Sequence, residues 1–455
     1  MRPPAPNIDT MFRETGALTL LFGFACLPVV GQVGALAILI VMAFGRSDVT
    51  LKCLAAGATV ATISLSHEQG GGGSFLPSGL RFVLLFAAFA RSLVVEGQPT
   101  RIYGTLFKYW GLLTGILIIN SFFVSAFPGI SIFKTISFSV GLLCVIRLGM
   151  LTTSKNGEML LFISEMGTAV FFLSVPLLPL EVGWAQTGGL GFNGILQHPQ
   201  TLGVFMVVTA AASFAAAFKF PNLQRILLVC GFAQLSMIYF TRARTALAAI
   251  VIGVIVFIIE FVARGGRGSR IRFVSPAALV LAFLGIAIAT ILVPSIRDGF
   301  AEFVRKGDEQ SLATAEDREE ALRTGSRGKQ IFDVLGLIEE HPVVGYGFGV
   351  NPDSERMMNS IGAQLWGIPL SAPVEQGFLP IATLAQIGIV GSLFVWPFLF
   401  SMYRFARRGS AEDAALFAAV LGVNFGQMIF YSLSGEGLVM WVTLVLITFR
   451  GGEFR

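Results

Sequence analysis

The chain has 455 residues, of which 54% are hydrophobic and 13% are charged, with a formal net charge of +5 and a mean hydropathy of +0.76. A soluble domain carries about 25% charged residues, so this composition excludes an ordinary soluble protein. Apolar runs recur from end to end, which predicts an all-α polytopic membrane bundle of about 12–14 transmembrane helices with one long external loop. The basic excess is typical of loops that orient membrane helices, and no nucleic-acid partner is expected.

Three domains are predicted from the spacing of the apolar runs: transmembrane helices 1–11 over 1–293, an external subdomain with amphipathic helices over 294–377, and three final transmembrane helices over 378–455. Pro28 and Gly31 interrupt the start, so the first two spans could form one bent segment. The predicted spans are 16–30, 31–45, 50–66, 76–95, 109–126, 133–153, 158–180, 201–218, 223–240, 245–262, 273–293, 378–403, 412–431 and 434–450.

Arginines in two short loops predict the orientation. "ARGGRGSRIR" (263–272) carries four arginines and "YRFARRG" (403–409) carries three. Short basic loops stay in the cytoplasm, and an even number of spans separates these two. The segment 294–376 then lies outside, and its 8 basic and 14 acidic residues give a net charge of −6.

The external segment contains its own structural signals. "GKQIFDVLGLIEEHP" (328–342) places Ile331, Val334, Leu335 and Ile338 at helical spacing, which predicts an amphipathic helix that Pro342 ends. "GYGFG" (345–349) predicts a tight turn that side chains would obstruct.

Candidate functional residues lie at four places on the predicted external side. Charge at the mouth of an apolar helix is costly and electrostatically strong. Arg244 also precedes the span 245–262, so free backbone N–H groups would add to its charge and form an anion site. The four places are His198 with Gln200, Arg242 with Arg244, Arg327 with Lys329, and Glu375 with Gln376.

Each candidate also has a structural interpretation. Arg242 lies on the opposite helix face from Arg244, which favours an interfacial anchor. Arg327 could be a solvated or ion-paired loop residue, His198 a loop histidine, and Glu375 a boundary charge. Arg81, Lys134 and Glu436, external by the same threading, are interpreted as structural.

No cofactor or metal is predicted. The four cysteines lie inside apolar runs, and the three histidines are scattered along the chain. "GGGG" (70–73) follows no strand and carries no lysine, so it indicates a turn rather than a phosphate-binding loop.

Four stretches, taken together and in order, resemble the O-antigen ligase and polymerase family of integral membrane enzymes. His198-Pro199-Gln200 is similar to the family's Asn-Pro-Asn-type start of a helix. "TRARTAL" (241–247) is similar to its Thr-x-Ser-Arg-x-x-Leu pattern, with Arg244 in the position of the arginine.

The last two stretches lie within the predicted long loop and at its end. "GSRGKQIFDVLGLIEEHPVVGYGFG" (325–349) resembles a segment that runs from an arginine, here Arg327, to Pro-x-x-Gly-x-Gly. "EQGFLPIATLAQIGIVG" (375–391) resembles a His-Asn-x-Tyr-Leu segment that closes on glycines. Glu375 replaces the histidine and Gln376 the asparagine, and the distance to Gly388 is two residues longer, which favours a polymerase over a ligase.

The resemblance implies a metal-independent, inverting glycosyltransferase whose donor is an oligosaccharide on undecaprenyl diphosphate. Arg244 and Arg327 would neutralise the diphosphate, and Glu375 would align or deprotonate the acceptor hydroxyl. The implied partners also include membrane lipid and a chain-length regulator, and the implied location is the bacterial inner membrane, with the loop 294–377 periplasmic. The expected substrate-binding residues are Arg242, His198, Gln200, Gln376 and Lys329.

Two alternatives remain open. A ligase would transfer a finished glycan to lipid A-core with nearly the same site residues. A transporter or flippase of lipid-linked sugars would favour inverted repeats and ionisable residues at the bilayer midplane, whereas this chain has no detectable repeat and its candidate charges lie at one face.

Overall fold

The computed structural model describes residues 6–27, 29–64, 75–97, 100–185, 191–264, 334–353, 357, 364–365, 368–369, 377–433 and 435–450. Within these residues the chain is almost entirely helical, apart from β1 (Gln364–Leu365) and β2 (Ile368–Pro369), which pair antiparallel. The α-helices are α1 (Ile8–Ala25), α2 (Val30–Ala43), α3 (Ser47–Val60), α4 (Phe75–Val94), α5 (Arg101–Phe123), α6 (Pro128–Leu151), α7 (Asn156–Ser174), α8 (Pro199–Lys219), α9 (Gln224–Thr241), α10 (Arg244–Ala263), α11 (334–340), α12 (Leu379–Gly409), α13 (Ala411–Gly422) and α14 (Gly435–Arg450).

The predicted fold class is confirmed: the chain is a polytopic helical membrane protein. Eight described helices, α4 to α10 and α12, are long and apolar enough to cross a membrane. About 20 helical residues cover a hydrocarbon core of about 30 Å. Helices α2 and α3 have 14 residues each, which is fewer than this length requires.

One predicted span differs in continuity from the observed helices, and the span 273–293 lies outside the described residues. The first two spans are separate helices, α1 and α2. The span 412–431 is interrupted: α13 stops at Gly422 and a 3₁₀ turn, Val423–Phe425, follows. Asn424 explains the break, because its side-chain Oδ1 accepts the N–H of Ile429 at 3.1 Å and so competes with helical bonding.

Helix α14 lies at the centre of the bundle. Every residue from Gly437 to Arg450 is buried, and the helix packs against α3, α6, α7, α8, α12 and α13. A helix that is apolar on all faces belongs in an interior. At its last residue, Arg450 Nε lies 3.4 Å from Asp413 Oδ1, with both side chains almost inaccessible, and Nη1 donates to the Ala215 carbonyl at 2.8 Å.

Alternating helices give the bundle two ends. The Arg404 end contains the start of α5 and the last turns of α10 and α12, because Arg101 and Arg404 line one cavity and Arg264 donates to the Arg407 carbonyl. The two basic loops therefore start from the same end, as the threading requires. The His198 end, opposite, contains the N-termini of α8, α10 and α14.

Candidate functional site

His198 caps the N-terminus of α8. It has extended backbone, Pro199 follows it as the first helical residue, and its Nδ1 accepts the N–H of Gln200 at 3.2 Å. Because Nδ1 is the acceptor, the neutral ring carries its proton on Nε2. His198 is exposed and Gln200 is half-buried, so both can meet a ligand from outside the bundle.

The turn between α9 and α10 separates the two arginines. Arg242 ends α9 in the left-handed conformation (φ 52°), and Ala243 is extended before α10 begins at Arg244. The buried hydroxyl of Thr241 accepts the Ala243 N–H at 3.2 Å and holds this turn in place. As a result, Arg242 is exposed, whereas Arg244 is half-buried with its Nη2 atom inaccessible to solvent.

Close packing brings this turn against the start of α8. A Cβ on Gly203 would lie only 2.4 Å from the Ala243 Cβ, so nothing larger than glycine fits there without displacement. A Cβ on Gly191 would lie 2.7 Å from the Thr241 carbonyl and 2.8 Å from the Pro199 Cβ. The N-termini of α8 and α10 therefore lie side by side, so the positive ends of two helix dipoles meet at this place.

A third helix N-terminus joins them and carries a carboxylate. Glu436, in the first turn of α14, accepts the Thr201 hydroxyl at 3.5 Å and the Gln427 amide at 3.4 Å. Sequence reasoning interpreted Glu436 as structural and thus missed its place beside α8. The available signal was an acid directly before a long apolar run, between Gly435 and Gly437.

The loop 342–350 is fastened into the bundle beside α12. Gly388 breaks α12 with φ 64° and ψ −170°. The N–H groups of Ile389 and Val390 donate to the carbonyls of Pro342 and Val343, at 3.0 and 3.1 Å. In return, the carbonyls of Ala385 and Gln386 accept the N–H groups of Tyr346 and Gly347, both at 3.0 Å. Backbone groups released by the break thus find partners inside the protein, as a membrane interior requires.

Two side-chain amides complete this attachment. Asn120 donates to the Val344 carbonyl at 2.7 Å and accepts the Phe348 N–H at 2.8 Å. Gln386 Oε1 accepts the Gly349 N–H at 2.9 Å. Burial raises the pKa of Tyr346 above that of a free phenol, so its hydroxyl stays protonated.

The described residues 334–350 follow the pattern predicted from the sequence. Residues 334–340 are helical and end before Pro342, and Gly345 has φ 72°, with a Cβ there only 2.4 Å from Gln386 backbone atoms. Val334 and Ile338 pack into a small apolar cluster that includes Tyr346. Leu335 is 38% exposed, whereas Leu337 packs against this cluster.

Four predicted site residues, Arg327, Lys329, Glu375 and Gln376, lie outside the described residues. The structure does bring His198, Gln200 and Arg244 to one end and adds Glu436, while Arg242 faces outward. Across the described part of the chain, no group of three or more His, Cys, Asp or Glu could hold a metal ion.

Comparison with known proteins adds one finding. No curated protein matches the chain. A protein-family model described as O-antigen ligase matches residues 226–396, which include α9, the Arg242–Arg244 turn, α10, the loop 342–350 and the break at Gly388. The resemblance to the O-antigen ligase family is thereby confirmed over residues 226–396, which contain three of the four sequence stretches, whereas the stretch at His198 lies outside the matched region.

Proposed function

We propose that the chain is a bacterial cell-surface polysaccharide polymerase. It transfers glycan repeats from undecaprenyl diphosphate to a sugar hydroxyl on the external side of the inner membrane. The family match supports a glycosyltransferase that acts on a lipid-linked oligosaccharide. The observation that carries the site assignment is the junction of the α8 and α10 N-termini, with Arg244 at the first position of α10 and its Nη2 buried.

The donor requires a cationic site. Negative charge grows on the diphosphate as its bond to the sugar breaks, and a guanidinium fork with adjacent backbone N–H groups neutralises it. Arg244 supplies this charge from within the bundle, and Arg327 and Lys329 supply it from the external segment. Arg242, His198, Gln200 and Gln376 contact the diphosphate or the glycan from the rim.

The acceptor requires a base. Its hydroxyl oxygen attacks C1 of the donor sugar from the face opposite the diphosphate, which inverts the anomeric centre. The C1–O bond breaks, its electron pair leaves with undecaprenyl diphosphate, and the hydroxyl proton passes to the carboxylate of Glu375. Glu436, which accepts the Thr201 hydroxyl at the His198 end, is assigned to orienting the acceptor. Fixed arginines and helix ends supply the positive charge, so no metal takes part.

The proposed orientation places the His198 end in the periplasm. The arginine-rich loops 263–272 and 403–409 begin at the opposite end, which suits the cytoplasm. The acidic segment 294–377 then emerges on the same side as the donor's headgroup.

The direct test uses purified protein in detergent with an undecaprenyl-diphosphate-linked repeat and no ion gradient. We expect conversion to oligomers, detected by mass spectrometry, and release of one undecaprenyl diphosphate for each bond formed. A transporter or flippase would leave the substrate unchanged, and that outcome would remove the enzyme assignment.

A ligase is the second candidate, because the matching family model is described as O-antigen ligase. The two functions differ in what a deletion strain accumulates. Loss of a polymerase leaves single repeats on the surface, whereas loss of a ligase leaves long chains that are not attached to lipid A-core. A gel of surface polysaccharide from the deletion strain separates the two.

A further inference from the structure

A cavity at the Arg404 end has features that glycan transfer does not use. Its volume is about 240 Å³, and it lies between the start of α5 and the C-terminal half of α12. This is far larger than the ~30 Å³ that one water molecule occupies. Arg101, Arg404 and Arg408 line it, and no carboxylate is among the described residues of its lining.

Two arginines of the cavity, Arg101 and Arg404, differ from Arg407 in their ion pairing. Arg407 lies 2.7 Å from Glu260 and is thus committed to an ion pair between α10 and α12. Over the described part of the chain, neither Arg101 nor Arg404 forms an ion pair with a carboxylate. Both are exposed, so an anion from outside the bundle can reach them.

Other groups of the lining suit a phosphate. Tyr109 and Ser401 carry hydroxyl groups that can donate to phosphate oxygens. Arg101 is also the first residue of the 23-residue helix α5, whose free N–H groups add positive potential at the same place. Guanidinium groups bind phosphate oxygens through paired hydrogen bonds.

An apolar surface continues from the charged part. Phe400 lines the cavity and is 64% exposed, so its ring faces the surroundings of the bundle. Pro397 lines the cavity one turn earlier on α12. Cationic groups beside an exposed apolar strip match a molecule that has a phosphate head and an acyl chain.

We propose that this cavity binds the phosphate of an anionic membrane lipid, with Arg101, Arg404 and Arg408 as the cationic ligands. A free phosphate ion shares the headgroup chemistry but not the contact with Phe400. The lipid site lies at the opposite end of the bundle from Arg244 and does not depend on the proposed glycan transfer.

The test measures thermal unfolding of the purified full chain in a neutral detergent. Three probes are titrated: short-chain phosphatidylglycerol, short-chain phosphatidylcholine and inorganic phosphate. We expect a saturable rise of the unfolding midpoint with phosphatidylglycerol only. Arg101→Gln and Arg404→Gln should each weaken the apparent affinity about 5-fold, the effect of one cation near an anionic headgroup.

Arg225→Gln is the matched control. Arg225 is an exposed arginine at the start of α9, at the same end of the bundle but outside the cavity, so its removal should leave the affinity unchanged. An equal loss in this control would show general charge attraction and overturn the proposal. Stabilisation by inorganic phosphate at the same concentrations would also overturn it in favour of a free-anion site, as would a phosphatidylglycerol titration that does not saturate.

Discussion

The two ends of the bundle use charge in different ways. At the Arg404 end, Glu260 holds Arg407 at 2.7 Å and Arg264 at 3.5 Å, and Asp413 pairs with Arg450 in the interior. The pairs of Arg407 with Glu260 and of Arg450 with Asp413 join two helices each, whereas the pair of Arg264 with Glu260 lies within the end of α10. At the His198 end, by contrast, three helix N-termini meet within hydrogen-bonding or van der Waals distance. Ion pairs satisfy charges internally, whereas gathered N-termini direct a positive potential outward, towards a ligand.

The largest expected effect is at the Arg404 end. Asp413→Ala leaves the guanidinium of Arg450 buried without its carboxylate, and loss of one partner from a buried pair costs about 3–5 kcal/mol. We expect a lower thermal unfolding midpoint in detergent and less protein in the membrane.

Replacement of both partners separates charge from packing. Asp413→Leu combined with Arg450→Met removes the uncompensated charge and should recover much of the lost stability. If Asp413→Ala unfolded at the wild-type temperature, the buried pair would not hold α13 against α14.

The second prediction concerns transfer at the His198 end. Arg244→Ala should lower the rate of oligomer formation about 10²–10³-fold, the usual effect of removing one donor to a developing negative charge. The unfolding midpoint should change little, because Arg244 is only half-buried. The measurement is oligomer formation by purified protein, together with a gel of surface polysaccharide from the complemented deletion strain.

Two further variants sharpen the comparison between neighbouring arginines. Arg242→Ala removes the same charge two residues away from an exposed position and should reduce the rate less than 10-fold. Arg244→Lys should recover little, because lysine lacks the planar fork. If Arg242→Ala and Arg244→Ala reduced the rate of oligomer formation equally, both arginines would act only through general electrostatic attraction of the donor.

Sequence reasoning predicted those features that depend on local pattern. Apolar runs predicted the helices α4 to α10 and α12, although α5 begins at Arg101 rather than at 109 and α12 ends at Gly409 rather than at 403. "GYGFG" predicted the turn into which no side chain fits. It could not predict what tertiary packing decides. Leu335 and Leu337 lie about 200° apart around α11, and only the position of the apolar cluster determines that Leu337 is the residue it covers.

The candidate site likewise has features that follow from the local sequence and features that depend on tertiary packing. The position of Arg244 at a helix start follows from the sequence, because a polar turn interrupts two apolar runs there. The approach of α14 to α8 does not, since Thr201 and Glu436 are 235 residues apart and no local pattern relates them. Glu436 was therefore interpreted as structural, although it lies beside the cap of α8.

The third prediction concerns the break in α12 that fastens the loop 342–350. Gly388 has φ 64° and ψ −170°, a conformation open to glycine alone, and an added Cβ would lie 2.2 Å from the Val343 carbonyl oxygen. Gly388→Ala should therefore destabilise the fold by about 2–3 kcal/mol. Limited proteolysis should show faster cleavage within 334–353, and thermal unfolding should begin at a lower temperature.

Gly111→Ala is the control for this variant. Gly111 lies in α5, where an added Cβ meets no atom within 4 Å, and alanine favours a helix by about 1 kcal/mol over glycine. Its unfolding midpoint should equal or exceed that of the wild type. Wild-type protease resistance in Gly388→Ala would mean that the loop is not held by the break in α12.

The smallest effect should come from the carboxylate at the start of α14. Glu436→Gln keeps a group that can accept the Thr201 hydroxyl but removes the negative charge, so a residue that only orients the acceptor should lose about 10-fold in rate. Glu375→Gln, which removes the proposed base, should lose about 10²-fold or more. Both rates are measured as oligomer formation at saturating donor over a range of acceptor concentrations.

A larger loss for Glu436→Gln than for Glu375→Gln would transfer the role of base to Glu436, because the charge that accepts the proton would then belong to α14. A wild-type rate for Glu436→Gln would leave Glu436 with only its hydrogen bonds between α8 and α14.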